Sequence, residues 1–434
     1  MKKLFSQWDV IFKSLIVLIV IVKVLFTGIL YDPDSLAFTT IIFSRSPGYM
    51  LFASFFTSVF GNYFEIPLLI AQLIFNLSVC LFATQRLTIL FNLNSVFSTI
   101  VLVIFITPLV STYLTANKIL TEALTYPLFL LFNVYTLQFL IQEKNKYFTK
   151  ALLVLFLLII TRNQFLAMVP VLIILISFLW YKSKHKKYLF LLLTIICLPV
   201  VTTFFERTFN YIAFGTFTNM PGAHMPAAAA FFVADEKDVQ LFTSDKEVQF
   251  FTTAMAELKR KQLLASSLPE TDYYILYGLY QTRFSRICNQ TLHEIAVNQF
   301  TDPNKSRKDR LLEAEQLFKS MFWPLLIDNY KQWTVLYIQN IRYALGNTKM
   351  FLLYFSLLIT GVFLLFKNPR NKIGLFFVFT TLCTFCSLLL LGLVSHSENR
   401  YIFYHHWTLF IALLLLIDQY IKATFPSETS RVLD

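Results

Sequence analysis

Three ionisable side chains, Asp32, Asp34 and Arg45, stand together in the stretch YDPDSLAFTTIIFSRSPGY, from Tyr31 to Tyr49, between two long apolar runs. Such groups are costly beside hydrocarbon and are therefore functional candidates. A carboxylate can take a proton from a hydroxyl. A guanidinium beside a helix start makes an anion site. Two helix starts are legible here. Asp32-Pro33 and Ser46-Pro47 each pair a capping residue with a first-turn proline. Between them, residues 36–43 are apolar with polar breaks, as in a short helix lying along a membrane surface. The stretch predicts a pair of surface helices, with acids at the first start and Arg45 at the second. If Asp32 caps the first helix, backbone N–H groups occupy its side chain. Asp34 would then sit in the first turn, where it also complements the helix dipole. Its charged companions make it the stronger candidate for proton transfer.

More candidates lie at the ends of other apolar runs. Lys118 and Glu122 are four apart and would share one helix face, an arrangement that as a plain stabilising pair is worth about 0.2–0.5 kcal/mol. Arg162 begins a span from a turn with almost no other charge, and Arg400-Tyr401 begins the last span. Tyrosine and arginine also serve as interfacial anchors, so that pair has an ordinary reading as well. His224 and His396 show no metal-ligand spacing of the HExxH kind. Cys383-x-x-Cys386 reads as two small apolar residues in a helix.

The elements that must position these residues are membrane helices. Of 434 residues, 56% are hydrophobic and 14% charged, and continuous apolar runs of about 18 residues recur, as polytopic helical proteins require. Continuous rather than alternating runs exclude a porin-type barrel. The fold class read from this pattern is all-α and polytopic, with ten transmembrane helices. Residues 1–205 form an N-terminal membrane module of seven spans, carrying the loop 31–49. Residues 206–331 are polar and read as an ordered extracytoplasmic domain or a long functional loop; about 125 residues exceed any ordinary connection. Residues 332–434 form a C-terminal module of three spans. Met1-Lys2-Lys3 followed by an apolar stretch resembles a secretory signal, but no small-residue cleavage site follows, so the segment reads as the first span. Within the polar region 245–265 and 307–322 carry helical periodicity. Residues 220–226 read as an irregular loop, and 329–345 as an amphipathic helix.

Lysine-rich pieces fix the orientation. They are the N-terminus, the region of Arg86, and residues 144–150, 182–187 and 367–372. With ten spans and the N-terminus inside, all of them fall on the cytoplasmic side, as the positive-inside rule asks. The net charge of +12 then reflects cytoplasmic loops and does not call for nucleic acid. The same assignment puts the loop 31–49, the turn from Lys118 to Glu122, Arg162, the large domain and the turn from His396 to Arg400 together outside a plasma or inner membrane.

The segments PDSLAF, SRSPGYMLFASFFTSVFG, AQLIFNLSVCLFA, TEALTYPLFLL, TRNQFLAMVP and ENRYIFYHHWTLFIALLLL, in this order, resemble polytopic GT-C glycosyltransferases, which use polyprenyl-phosphate-linked sugars. The resemblance covers most of the membrane part and leaves the large outer loop uncovered. It implies that Asp34 is the catalytic base of the first loop, with Asp32 beside it. It implies that Arg45 with Pro47, Arg162 and Arg400-Tyr401 serve the donor phosphate, with Lys118 close by. Glu122 matches the acid of the second outer loop. One departure is that Ala37 and Phe38 occupy places where many members carry a tyrosine. The implied partners are a polyprenyl-phosphate sugar, a glycan, lipid or protein acceptor of the cell envelope, and membrane lipids. Transfer to a hydroxyl needs a base near the acceptor and positive charge on the departing phosphate, with inversion at the sugar carbon. A divalent cation could bridge Glu122 and phosphate, though the sequence does not require one. Three rivals fit a polytopic chain: a polysaccharide polymerase or ligase, a lipid-linked sugar transporter or flippase, and a non-catalytic scaffold whose large loop binds a partner. The transporter predicts repeated halves and mid-membrane polar sites; no repeat is visible in this chain.

Overall fold

The computed structural model describes residues 2–267, 272–394 and 396–424. The tail of the expected C-terminal module, 425–434, lies outside the described residues. Among the described residues the regular structure is helical, and the β-type pairing is an isolated bridge between Leu30 and Lys118. The chain divides into two compact units. One comprises Met1–Thr218, Leu353–Cys386 and Phe403–Asp434; the other comprises Asn219–Leu352 and Ser387–Ile402.

The first unit contains α1 (Lys2–Thr27), α2 (Leu36–Thr39), α3 (Pro47–Phe60), α4 (Glu65–Phe91), α5 (Ser95–Val110), α6 (Glu122–Gln142), α7 (Asn145–Thr161), α8 (Met168–Ser183) and α9 (Lys186–Phe214). Eight helical stretches among the described residues are long and apolar enough to cross a membrane: Asp9–Thr27, Glu65–Phe91, Glu122–Gln142, Asn163–Ser183, Lys186–Phe214, Thr348–Lys367, Lys372–Val394 and Arg400–Thr424. The two other expected spans are helical but short. α5 has 16 residues and α7 has 17, so each falls a few residues below the roughly 20 that a bilayer core asks for. The expected bounds also shift. The second expected span is a helix of 27 residues, Glu65–Phe91. The third stops at Val110, where Lys23 donates to the Val110 carbonyl at 2.6 Å. That lysine is exposed on its helix rather than turned into the bundle. It meets the carbonyl end of α5, which favours a cation.

Local chemistry sets the helix ends. Asn94 caps α5 by accepting the Phe97 N–H at 2.9 Å. Asn92, Glu143, Lys184 and Gly215 close α4, α6, α8 and α9 in left-handed conformations, each returning its N–H to the preceding turn. α6 is the hub. It is buried on nearly every side and packs between α4 and α7, with Asn133, Thr136 and Gln138 in its interior face. At one end of this unit Lys372 donates to the Leu90 carbonyl and Lys422 to that of Asn92, both at 3.0 Å. Tyr188 binds Glu143 there at 2.7 Å. The lysine-rich ends of the helices thus gather together, and the acids and arginines of interest lie at the opposite helix ends.

The second unit contains α10 (His224–Val233), α11 (Asp245–Arg260), α12 (Tyr273–Ile287), α13 (Glu294–Gln299), α14 (Arg307–Asp328) and α15 (Tyr330–Ala344). The helical periodicity of 245–265 and 307–322 corresponds to α11 and α14. Residues 220–226, expected to be irregular throughout, instead enter α10 at His224. α11 carries Asp245 and Glu247 in its first turn and Lys259 and Arg260 in its last, in the sense the helix dipole favours. The core gathers aromatic side chains, among them Phe231, Phe250, Phe251, Tyr277, Tyr280 and Phe318. His224 is half-buried against His293, ring centroids 4.5 Å apart. Burial, then the charge of His293, lowers its pKa to about 3. The closing helices are α16 (Thr348–Lys367), α17 (Lys372–Val394), α18 (Asn399–Ile402) and α19 (His406–Thr424).

Candidate active site

The loop after α1 is built differently from the capping logic of its sequence. Residues 32–35 form a turn closed by the Ser35 N–H on the Asp32 carbonyl at 2.9 Å. The short helix α2 starts only at Leu36, with Ser35 at its N-cap position, and it ends at Thr39. Asp32 therefore does not cap a helix. Its backbone N–H donates to the Ser35 hydroxyl at 2.8 Å, and its carboxylate ion-pairs with Lys118 at 3.0 Å. Asp34 lies in the turn, 2.7 Å from the guanidinium of Arg45. The helix expected over 36–43 is one turn long because the chain extends at Thr40 (φ −129°, ψ 155°). The second helix start is as expected: Ser46 is extended and Pro47 opens α3.

Several side chains fix the loop. Tyr31 donates to Glu65, in the first turn of α4, at 2.7 Å. Burial, then the hydrogen bond and charge of Glu65, raises the Tyr31 phenol to about 12. Tyr49 is buried and donates to Gln72 at 2.7 Å, and Gln72 donates to the Ala116 carbonyl at 2.8 Å. Asn117 reaches back to the carbonyls of Val24 and Gly28 at 2.8 and 2.7 Å. Leu30 donates to the Asn117 carbonyl at 2.8 Å. The segment 114–121 is thereby laced to the first loop, and this delivers Lys118 to Asp32. Beneath, Phe38, Tyr49, Met50, Leu68, Ile119 and Leu120 form a small apolar core. Phe38 stands where the expected tyrosine is missing. It carries the Arg45 guanidinium over its ring at 5.1 Å and packs edge-on to Tyr49.

Gly48 explains how α3 reaches α7. A Cβ there would come within 2.7 Å of the Thr161 Cα, so only glycine permits the approach. Arg162, the next residue, is turned inward. It binds Glu122 at 2.5 Å and also donates to Thr121 Oγ1 and Tyr404 Oη, each at 3.3 Å. Tyr404 shares a hydrogen with Thr125 at 2.7 Å. The charge of Glu122 acts on Tyr49 too: burial first, then that carboxylate, pushes the Tyr49 phenol up.

Six sequence candidates thus assemble within one unit as three ion pairs: Asp32 with Lys118, Asp34 with Arg45, and Glu122 with Arg162. The expected pairing of Lys118 with Glu122 across one helix face does not occur. α6 begins at Glu122, leaving Lys118 in the preceding turn. The first two pairs are accessible, with Asp34 35% and Arg45 34% exposed; Glu122 is 9% exposed. Arg400 and Tyr401 belong to the other unit, where Arg400 is 2.6 Å from Glu398. The Glu122 carboxylate, considered above as a bridge to a cation, is engaged by the Arg162 guanidinium and the Thr121 hydroxyl. Among the described residues no cluster of three or more His, Cys, Asp and Glu side chains could hold an ion.

The scan of protein-family models, the search of curated proteins and the search of solved structures each found no match to this chain. The site is therefore read from its own geometry.

Sequence reasoning missed Tyr404, Gln72, Asn117 and Gly48. Gln72 and Asn76 are polar residues four apart inside an apolar run, which is a usable signal of a bundle-facing stripe. Tyr404 lies one helical turn beyond the Tyr401 that drew attention.

Proposed function

We propose that the protein is an integral-membrane glycosyltransferase of GT-C type. It moves a sugar from a polyprenyl-phosphate donor to an acceptor hydroxyl on the extracytoplasmic face. The observation that carries this reading is the accessible Asp34–Arg45 pair, set at the helix ends opposite the clustered lysines. That arrangement supports ten spans with cytoplasmic termini, counting the short α5 and α7 as spans. It also supports a location in the cell membrane with the site facing outward.

In this reading the acceptor oxygen attacks the anomeric carbon while the bond from that carbon to the phosphate oxygen breaks. The phosphate departs with the electron pair, and the hydroxyl proton passes to Asp34. Attack and departure on opposite faces invert the anomeric centre. Arg45 does two things: it orients Asp34 in the resting protein and supplies positive charge where the phosphate becomes more negative. Lys118, half-buried beside Asp32, adds a second cation to the same loop. Arg162 and Glu122 spend their charges on each other, so we assign them to positioning the start of α6 and α7 rather than to the donor. A bridging cation plays no part in this scheme.

The test uses membranes supplied with labelled polyprenyl-phosphate sugar. Asp34→Asn should abolish transfer while the protein remains folded. Undiminished transfer would remove Asp34 from the chemistry. Arg45→Ala should weaken donor binding more than acceptor binding, and unchanged donor affinity would remove Arg45 from the phosphate site.

A further inference from the structure

The second unit holds a cavity of about 340 Å³, lined by Gln281, Tyr343, Ala344, Ser397, Glu398 and Arg400. Its size is at the small end of ligand sites, which run roughly 300–1,000 Å³. One or two sugar rings would fill it.

Its walls are held by a buried polar network. Tyr277 donates to Asn340 Oδ1 at 2.6 Å and accepts the Ser397 N–H at 3.0 Å. The Ser397 hydroxyl binds both the carbonyl and the side chain of Asn340. Gln281 donates to the Ser397 carbonyl at 3.1 Å. His396 stacks on Phe284 with ring centroids 3.9 Å apart, and its Nε2 lies 2.9 Å from Glu398. Arg400 holds the other carboxylate oxygen at 2.6 Å. The hydrogen bond of His396 and the charge of Arg400 lower the Glu398 pKa to about 2, so the carboxylate is ionised at any physiological pH. Such support presets the geometry of a site before its ligand arrives.

The lining carries one carboxylate and one guanidinium, already joined, and is formally neutral. A phosphate would meet a guanidinium whose charge Glu398 has largely spent, and the carboxylate itself would repel it. A neutral polyol suits the wall better. Its hydroxyls can donate to Glu398 and accept from Arg400 or Gln281, and a ring face can lie against Tyr343. We propose that this cavity binds a neutral saccharide. Calling that saccharide the acceptor rests on the transferase reading; the pocket chemistry does not.

The intact protein in detergent is tested by saturation-transfer NMR against the methyl α- and β-glycosides of glucose, galactose and mannose, and separately against pyrophosphate. At least one glycoside should bind the wild type, with Tyr343→Phe retaining the signal. Glu398→Gln and Tyr343→Ala should each weaken binding at least tenfold, roughly 1.4 kcal/mol, with unchanged thermal unfolding confirming the fold. Glu398→Gln should also gain pyrophosphate binding, because the guanidinium loses its neutralising partner. The proposal is overturned if none of the six glycosides binds, if binding survives both weakening substitutions, or if pyrophosphate binds the wild type more tightly than any glycoside. Glycoside binding that persists in a protein unable to transfer sugar would sink the transferase reading and leave the pocket standing. Transfer without glycoside binding would do the reverse.

Discussion

The first unit contains two kinds of ion pair at the ends of its helices. Asp34 with Arg45, and Asp32 with Lys118, are each about a third exposed on the acid side, at 35% and 32%. Glu122 with Arg162 is buried and shares its hydrogens with Thr121 and Tyr404. An exposed pair is screened and contributes about 0–1 kcal/mol. A buried pair need not stabilise relative to apolar residues, yet removing one partner leaves an uncompensated charge, at about 3–5 kcal/mol. The same residue types thus do opposite work. The accessible pairs can exchange partners with a substrate at little cost to the fold. The buried pair cannot, and it locks α6 to α7.

This contrast can be broken from either side. The largest effect should come from Asp34→Asn in the transfer assay. A positioned base contributes about 10²–10⁴-fold in rate, whereas the stability change should stay under about 1 kcal/mol. A matching loss of stability would put Asp34 in the same class as Glu122. Next comes Arg162→Leu. We expect it to destabilise the protein by about 3–5 kcal/mol, read as a large fall in detergent melting temperature. If the variant melts like the wild type, the pair is not architectural. Gly48→Ala tests the support beneath both pairs. Crowding the Thr161 backbone should cost about 1–3 kcal/mol. An unchanged melting temperature would mean that α3 is free to move away from α7.

The second unit offers a pH test that the first does not. His224 has a folded pKa near 3 against an ordinary value of about 6.5. Above pH 6.5 it is neutral in both states, so it adds no pH dependence. Between 6.5 and 3 only the unfolded chain takes up the proton, and stability falls as pH drops, by at most about 1.4 kcal/mol per pH unit. His293, lowered chiefly by burial and also by Arg307, acts in the same sense. Amide protection in α10, taken relative to the intrinsic exchange rate at each pH, should therefore fall from pH 7 to pH 5, and His224→Phe should flatten that slope. Protection that is equally pH-sensitive in the variant would exonerate His224.

The sequence told much about the elements and less about their contacts. Hydropathy located the eight described helices that are long and apolar enough to cross a membrane, because burial of backbone in hydrocarbon demands long apolar helices. It misjudged α5, whose polar segment 111–121 folds back on the first loop by hydrogen bonds that no periodicity encodes. The candidate acids and arginines were legible, since charge at a span end is conspicuous. Their partners were not. The i,i+4 rule joined Lys118 to Glu122, but α6 starts one turn later than that rule assumed, so each side chain found its partner across the fold. Asp32-Pro33 carried a capping signal, and Lys118 outcompeted the backbone for its carboxylate. Gly48 gave no signal because its role is a close approach to Thr161, which depends on tertiary structure alone.

The smallest effect is the most discriminating. Asp32 and Asp34 lie two residues apart, face similar solvent and each hold one cation, so composition cannot rank them. Their partners differ in anchorage. Lys118 is pinned through its own backbone bridge to Leu30, while Arg45 is tied to its helix start and stacks on Phe38. The Asp32–Lys118 pair therefore acts as a clasp between two loops, and Asp34–Arg45 lies beside the proposed reaction path. Asp32→Asn should cost less than about 1 kcal/mol of stability, lessening further in high salt. It should slow transfer by less than about tenfold. Lys118→Met should give similar values, and the double variant should lose little beyond either single one, as expected for one shared interaction. A rate loss for Asp32→Asn equal to that of Asp34→Asn would erase the distinction and make the two acids a joint proton-accepting site.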